Sequence, residues 1–305
     1  MKQTVSRLVM GAGLLALVLS GCSSPPATSE PPTATPMPSG RVDIGGYSLF
    51  YTCRGQGSPT VILESGGGAD SAAWLEVMRG IDTTTRVCAY DRANLGRSGP
   101  SSKPRTFEDS ARDLEALLAA ARLDGPYILV GHSIGGELVR VFADEHPDQL
   151  AGMVLVDAAH PDMGARLMAG LPPASGDEPE AVAFWRQLFT WISDSSGSSY
   201  PNPEGWDTQA SHAQVRATDP LGDLPLVVIS QSPDRPLSLS SIPSALADTN
   251  AGLQQIWQEM QKELVGLSSS SSQVIATQAG HDIPNEEPEL IIEAIRKLVS
   301  EARRG

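Results

Sequence analysis

Residues 127–136 read Tyr127-Ile128-Leu129-Val130-Gly131-His132-Ser133-Ile134-Gly135-Gly136, an apolar strand-like run that ends in G-x-S-x-G and opens a helical pattern. A serine on a sharp strand-to-helix turn projects its hydroxyl above the end of a sheet, and small neighbours relieve crowding where strand and helix approach. The helix N-terminus adds partial positive charge beside a developing oxyanion. G-x-S-x-G by itself is common in turns. The strand before it and the helix after it are what single out Ser133 as a candidate nucleophile.

Working outward, the chain alternates strands and helices. Short β-prone runs occupy 47–53, 60–63, 86–90, 126–130, 152–156, 224–229 and 273–276, the last five nearly continuous in apolar residues. Such runs suit strands buried on both faces of a parallel sheet, with helices as crossovers. Residues 107–121 place Leu114, Leu117, Leu118 and Ala121 on one helical face, behind a capping-box-like start at Thr106 and Asp109. A second helix begins near Gly135 and ends before Pro147. A weaker helical stripe covers 251–264, and Leu290, Ile291, Ala294, Ile295, Leu298 and Val299 form a clean one near the C-terminus. The alternation lapses between Pro161 and Pro220, where the strongly apolar run 182–192 stands among Pro, Ser, Gly and Asp. A stretch this long without strands predicts an inserted helical cap, placed at 161–222, rather than a loop.

The remaining composition excludes several classes. In 305 residues, Lys plus Arg number 22 against 36 Asp plus Glu, a net charge of -14, and no basic block offsets it. Nucleic-acid binding therefore has no electrostatic driving force. The three cysteines, Cys22, Cys53 and Cys88, form no C-x-x-C pair, which disfavours zinc ribbons and iron–sulfur sites. Residues 1–21 combine Lys2 and Arg7 with an apolar run too short to span a bilayer, the pattern of a secretory signal. Leu19-Ser20-Gly21-Cys22 resembles a bacterial lipobox, which implies cleavage before Cys22 and a lipid on its thiol. The Pro-, Ser- and Thr-rich segment 22–40 is then a semi-stiff tether, and the expectation is an exported protein anchored by lipid to the outside of a bacterial membrane.

From residue 41 to 305 the chain resembles the α/β-hydrolase superfamily, on the elbow just quoted and on several agreeing segments. The resemblance implies an α/β-hydrolase fold, a mostly parallel sheet of about eight strands flanked by helices, with a small helical cap insertion. Val61-Ile62-Leu63-Glu64-Ser65-Gly66-Gly67-Gly68 ends a strand in a glycine loop, where the family supplies an oxyanion-hole amide. The implied donors are the amides of Gly67 and Ile134. The turn from Ala89 to Gly99 looks like the one after the family's fourth strand and is taken as structural. In the family's sheet order the second and fourth strands are neighbours, so the resemblance places Cys53 and Cys88 to form a disulfide in an oxidising compartment, with two buried free thiols as the alternative.

A serine hydroxyl needs a base, and the base an acid. His281, in Ala279-Gly280-His281-Asp282 between the last strand and the final helix, stands where the superfamily places its base. His132 is assigned to pocket shape, and His146, His160 and His212 to surface or supporting positions. The acid is expected between Ser133 and His281 in the chain. Asp234, just beyond the 224–229 strand, is the choice, with Asp157 and Asp162 at another strand end as rivals. Trp74, Trp185 and Trp206 are candidate walls. The implied chemistry is hydrolysis of a small-molecule ester through an acyl-enzyme, with no cofactor or metal. The alternatives are an aminopeptidase-like amide hydrolase, with Asp177, Glu178 and Glu180 as an ammonium-binding patch, and a non-catalytic surface-binding lipoprotein.

Overall fold

The computed structural model describes residues 39–196, 200–237 and 246–304. Eight strands are present: β1 (Ser39–Asp43), β2 (Ser48–Arg54), β3 (Thr60–Glu64), β4 (Val87–Asp91), β5 (Tyr127–His132), β6 (Leu150–Val156), β7 (Leu226–Ser230) and β8 (Ser271–Ile275). They form one sheet in the order β1-β2-β4-β3-β5-β6-β7-β8. β1 with β2 and β2 with β4 pair antiparallel, while every pair from β4 to β8 is parallel. The helices are α1 (Leu75–Ile81), α2 (Phe107–Ala121), α3 (Ile134–Glu145), α4 (Met163–Ala169), α5 (Glu180–Ser193), α6 (Thr208–Ala217), α7 (Ala247–Val265), α8 (Ile283–Glu286) and α9 (Pro288–Ala302).

The nearly continuous apolar strands are divided between two cores by the two-residue side-chain period. Ile62, Leu129, Met153, Leu155 and Val228 join the core covered by α2 and α3. Their neighbours Val61, Leu63, Ile128, Val130, Val154, Val156, Val227 and Ile229 face the opposite core, closed by α1 and α9. The capping box of α2 is present, with Asp109 N–H bonded to the Thr106 hydroxyl and Thr106 N–H to the Asp109 carboxylate. Cys53 and Cys88 face each other across the β2–β4 ladder and are disulfide-bonded, with Cα atoms 4.1 Å apart. Closing a loop of sequence separation 35 stabilises the fold by about 3–4 kcal/mol on a chain-entropy argument.

Between β6 and β7 the predicted helical insertion comprises α4, α5 and α6. Its aromatic helix α5 buries Trp185, Leu188 and Phe189 in a third core with Leu253, Trp257 and Met260 of α7. One boundary differs from expectation: Ser39 and Gly40, expected in the tether, pair with Thr52 and Tyr51 as part of β1. This edge strand alternates exposed and half-buried residues, so it carries little apolar signal and is held by its backbone ladder. The expected signal peptide, Cys22 and the expected tether as far as residue 38 lie outside the described residues. No helix among the described residues is long and apolar enough to cross a membrane.

Candidate active site

Ser133 joins β5 to α3 with φ 54° and ψ −126°, a conformation that is costly for a residue with a side chain. The surroundings hold it there. Ser133 N–H donates to Val156 O at 3.1 Å, and the Ser133 carbonyl accepts from Gly136 and Ala159, each at 2.9 Å. The flanking glycines are demanded by close approach: a Cβ on Gly131 would meet Gly135 O at 2.5 Å, and one on Gly135 would meet Glu64 O at 2.5 Å. The G-x-S-x-G spacing is thus the packing of β5, α3 and the end of β3 against one another.

His281 follows β8 and precedes α8, as the sequence places it. Its ring Nδ1–H donates to Asp157 Oδ2 at 2.6 Å. Asp157, not Asp234, is therefore the carboxylate that meets the imidazole. Asp157 leaves β6 at φ 40°, fully buried, and its other oxygen accepts from the Gln231 N–H at 3.0 Å and the Trp257 indole N–H at 2.8 Å. These three donors keep a buried carboxylate compensated and aimed at His281. Asp234 lies exposed in the loop beyond β7, and Asp162 pairs with Arg216 at 2.7 Å. The end of β7 contributes through its backbone instead, Ile229 O and Gln231 N–H both binding Asp157.

His132 does more than shape the pocket. Its Nε2–H donates to the His281 carbonyl at 2.8 Å, tying the elbow to the loop that carries the base. Removal from water and the neighbouring His281 pull its pKa down to about 3, so the ring is neutral near pH 7.

The glycine loop after β3 is braced from below and from the cap. Arg92, buried in the turn taken as structural, donates to Ser65 O at 2.6 Å and Gly66 O at 2.8 Å. It also pairs with Glu64 at 2.6 Å and with Glu204 of the insertion at 2.6 Å. Tyr90 OH donates to the other Glu64 oxygen, and Glu204 accepts the Gly68 N–H at 2.8 Å. Glu204 is delivered by a backbone pairing, Arg105 N–H to Gly205 O and Asp207 N–H to Arg105 O, both 2.8 Å. The Gly67 and Ile134 N–H groups, by contrast, have no hydrogen-bond partner among the described residues.

Ser133, Ile134, Gly67 and His281 line one cavity of about 450 Å³ beneath the insertion. Of the three candidate wall tryptophans only Trp206 borders it; Trp74 and Trp185 are core residues, and Trp191 and Trp257 take their place. Asp177, Glu178 and Glu180 do not line it, and Glu178 pairs with Arg186 at 3.0 Å. Glu137 and His212 do line it. Glu137 carried a visible signal: a carboxylate four residues after Ser133, among the apolar residues of α3. Arg92 and Glu204 carried none, because they are 112 residues apart and meet only in the folded chain. Among the described residues no His, Cys, Asp and Glu cluster has the makings of a metal site.

A strained serine elbow, a buried aspartate and an imidazole beyond the C-terminal ends of β5, β6 and β8 of one parallel sheet define the serine-dependent α/β class of hydrolytic folds. Residues 59–219 match the alpha/beta hydrolase fold family, and the chain belongs to it. It is 29% identical over 258 residues to the uncharacterized protein YqjL of Bacillus subtilis, covering 81% of this chain and 86% of that protein. It is 30% identical over 308 residues to efuK of Hormonema carpetanum, 87% of this chain but only 44% of that relative's length. The solved structure of a thermophilic esterase from Thermogutta terrifontis overlays with a TM-score of 0.58 at 20% identity, covering 87% of this chain and 99% of that one, a likeness of fold.

Proposed function

We propose that this protein is a serine hydrolase that cleaves carboxylic esters, with Ser133 as nucleophile, His281 as base and Asp157 as the acid. The observation that carries this reading is the 2.6 Å bond from His281 Nδ1 to buried Asp157, in a cavity that Ser133 also lines. With Nδ1–H committed to the carboxylate, His281 Nε2 is the lone-pair nitrogen, able to take the Ser133 proton as Oγ attacks an ester carbonyl. The Gly67 and Ile134 amides stabilise the resulting oxyanion. His281 then protonates the leaving alcohol and activates water against the acyl-enzyme, while Asp157 holds the imidazolium in place. The family also contains other leaving-group chemistries, so ester over amide rests on a modest cavity with mostly apolar walls.

Export and membrane anchoring through a lipid on Cys22 complete the proposal. They rest on the basic start, the short apolar run and the Leu19–Cys22 sequence. The activity is tested by fluorophosphonate labelling: the folded wild type labels rapidly and Ser133→Ala does not. A p-nitrophenyl ester series set against amino-acid anilides separates esterase from peptidase, with faster turnover of the esters expected. Failure of the folded wild type to label would remove the mechanism.

A further inference from the structure

One helical turn beyond Ser133, Glu137 points from α3 with its side chain fully buried, and neither carboxylate oxygen has a hydrogen-bond partner among the described residues. A rise of about 1.5 Å per residue puts it roughly 6 Å along the helix from the nucleophile, on the same face. Across from it, His212 of α6 brings Nε2 to within 3.4 Å of Glu137 Oε2, without the alignment of a hydrogen bond. Arg140, one turn further on, interacts electrostatically with Glu137 but gives its guanidinium hydrogen bonds to the Val215 carbonyl and the Thr218 hydroxyl. Both Glu137 and His212 line the cavity, and none of the described residues lining it is Lys or Arg. The other carboxylate in the lining, Glu204, is already neutralised by Arg92.

A carboxylate buried without hydrogen-bond donors is an unfavourable arrangement, and a ligand that supplies donors stabilises it. What is missing is a hydrogen-bond donor to each carboxylate oxygen. An ammonium group carries three donors and a positive charge, whereas a hydroxyl carries one donor and no charge. Phe189, Trp191 and Trp206 line the same cavity, and aromatic rings are good partners for a cation. We infer that Glu137, seconded by His212, is a specificity subsite for an ammonium group, so that the preferred substrate is an ester bearing a protonated amine several atoms from the scissile carbonyl. This rests on the esterase reading for the word substrate, but the binding site itself does not.

The test therefore reads binding as well as turnover. Tryptophan fluorescence of the full chain is titrated with hexylammonium, 1-hexanol and hexanoate. Hexylammonium should bind about 10- to 100-fold more tightly than hexanol, the span of a charge-assisted hydrogen bond, and hexanoate more weakly than either. Glu137→Gln should bring hexylammonium and hexanol together. In the kinetic arm, the ratio of kcat/KM for p-nitrophenyl 6-aminohexanoate over the hexanoate ester should exceed 10 in the wild type and fall toward 1 in Glu137→Gln. Equal binding of hexylammonium and hexanol by the wild type, which needs no variant to fold, would overturn the inference. So would a preference that survives in folded Glu137→Gln. Loss of all ester turnover with the binding preference intact would instead strike only the esterase reading.

Discussion

At the scale of the residue, the decisive fact is which carboxylate faces His281. Several acids satisfy the order serine, acid, histidine along the chain, and only the fold chooses among them. Asp157 is chosen because the backbone of β7 and the indole of Trp257 converge on it, leaving one oxygen for the imidazole. Asparagine at 157 would present an amide that offers His281 the wrong partner and inverts its tautomer. Asp157→Asn should therefore lower kcat/KM on a p-nitrophenyl ester by about 10³–10⁴-fold with the fold retained, whereas Asp234→Asn should stay within about 2-fold. Equal effects of the two substitutions would return the acid to the β7 loop.

At the scale of the element, the glycine loop after β3 depends on two segments distant in sequence. The turn after β4 supplies Arg92, and the insertion supplies Glu204, held in place by the backbone pairing of Arg105 with Gly205 and Asp207. The insertion therefore covers the cavity and also fixes the loop that carries the Gly67 amide. Removing the guanidinium leaves Glu64 and Glu204 buried without a counter-charge, a change that costs about 3–5 kcal/mol. Arg92→Gln should lower both the melting temperature and kcat, the latter by about 10-fold or more with a smaller change in KM, because oxyanion donors act in the transition state. Arg92→Lys should rescue little, since an ammonium cannot make the forked bonds to Ser65 O, Gly66 O and both carboxylates. Thermal melts alongside steady-state kinetics separate the two effects; an unaltered kcat in a folded variant would show that the loop keeps its geometry without the brace. Elements with a strong apolar period were visible beforehand: α2 falls on its expected residues, and α5 and α9 follow their stripes. The short α1, α4, α6 and α8 were not, because one to three turns give too few periodic positions to stand out.

At the scale of the whole molecule, a basic start, a short apolar run and Cys22 precede a proline-rich stretch that ends where β1 begins. Proposed lipidation makes the location of the protein depend on one thiol. Full-length protein expressed in a bacterium with lipoprotein export should partition with membranes, and Cys22→Ser should move the large majority to the soluble fraction. Retention of the variant in the membrane fraction would rule out the lipid on Cys22 as the anchor. The β2–β4 disulfide is consistent with an oxidising destination.

The sequence alone determined the alternation of strands and helices, the serine elbow, the histidine after the last strand and the helical insertion. Each is written locally, in side-chain period, in glycines that close approach requires, or in a motif with its flanking elements. The partner of the histidine, the Arg92–Glu204 brace and the orphaned carboxylate of Glu137 were decided only by the tertiary structure. They are meetings of groups far apart in the chain, and a buried charge acquires a role from the donors that surround it, which local sequence does not encode.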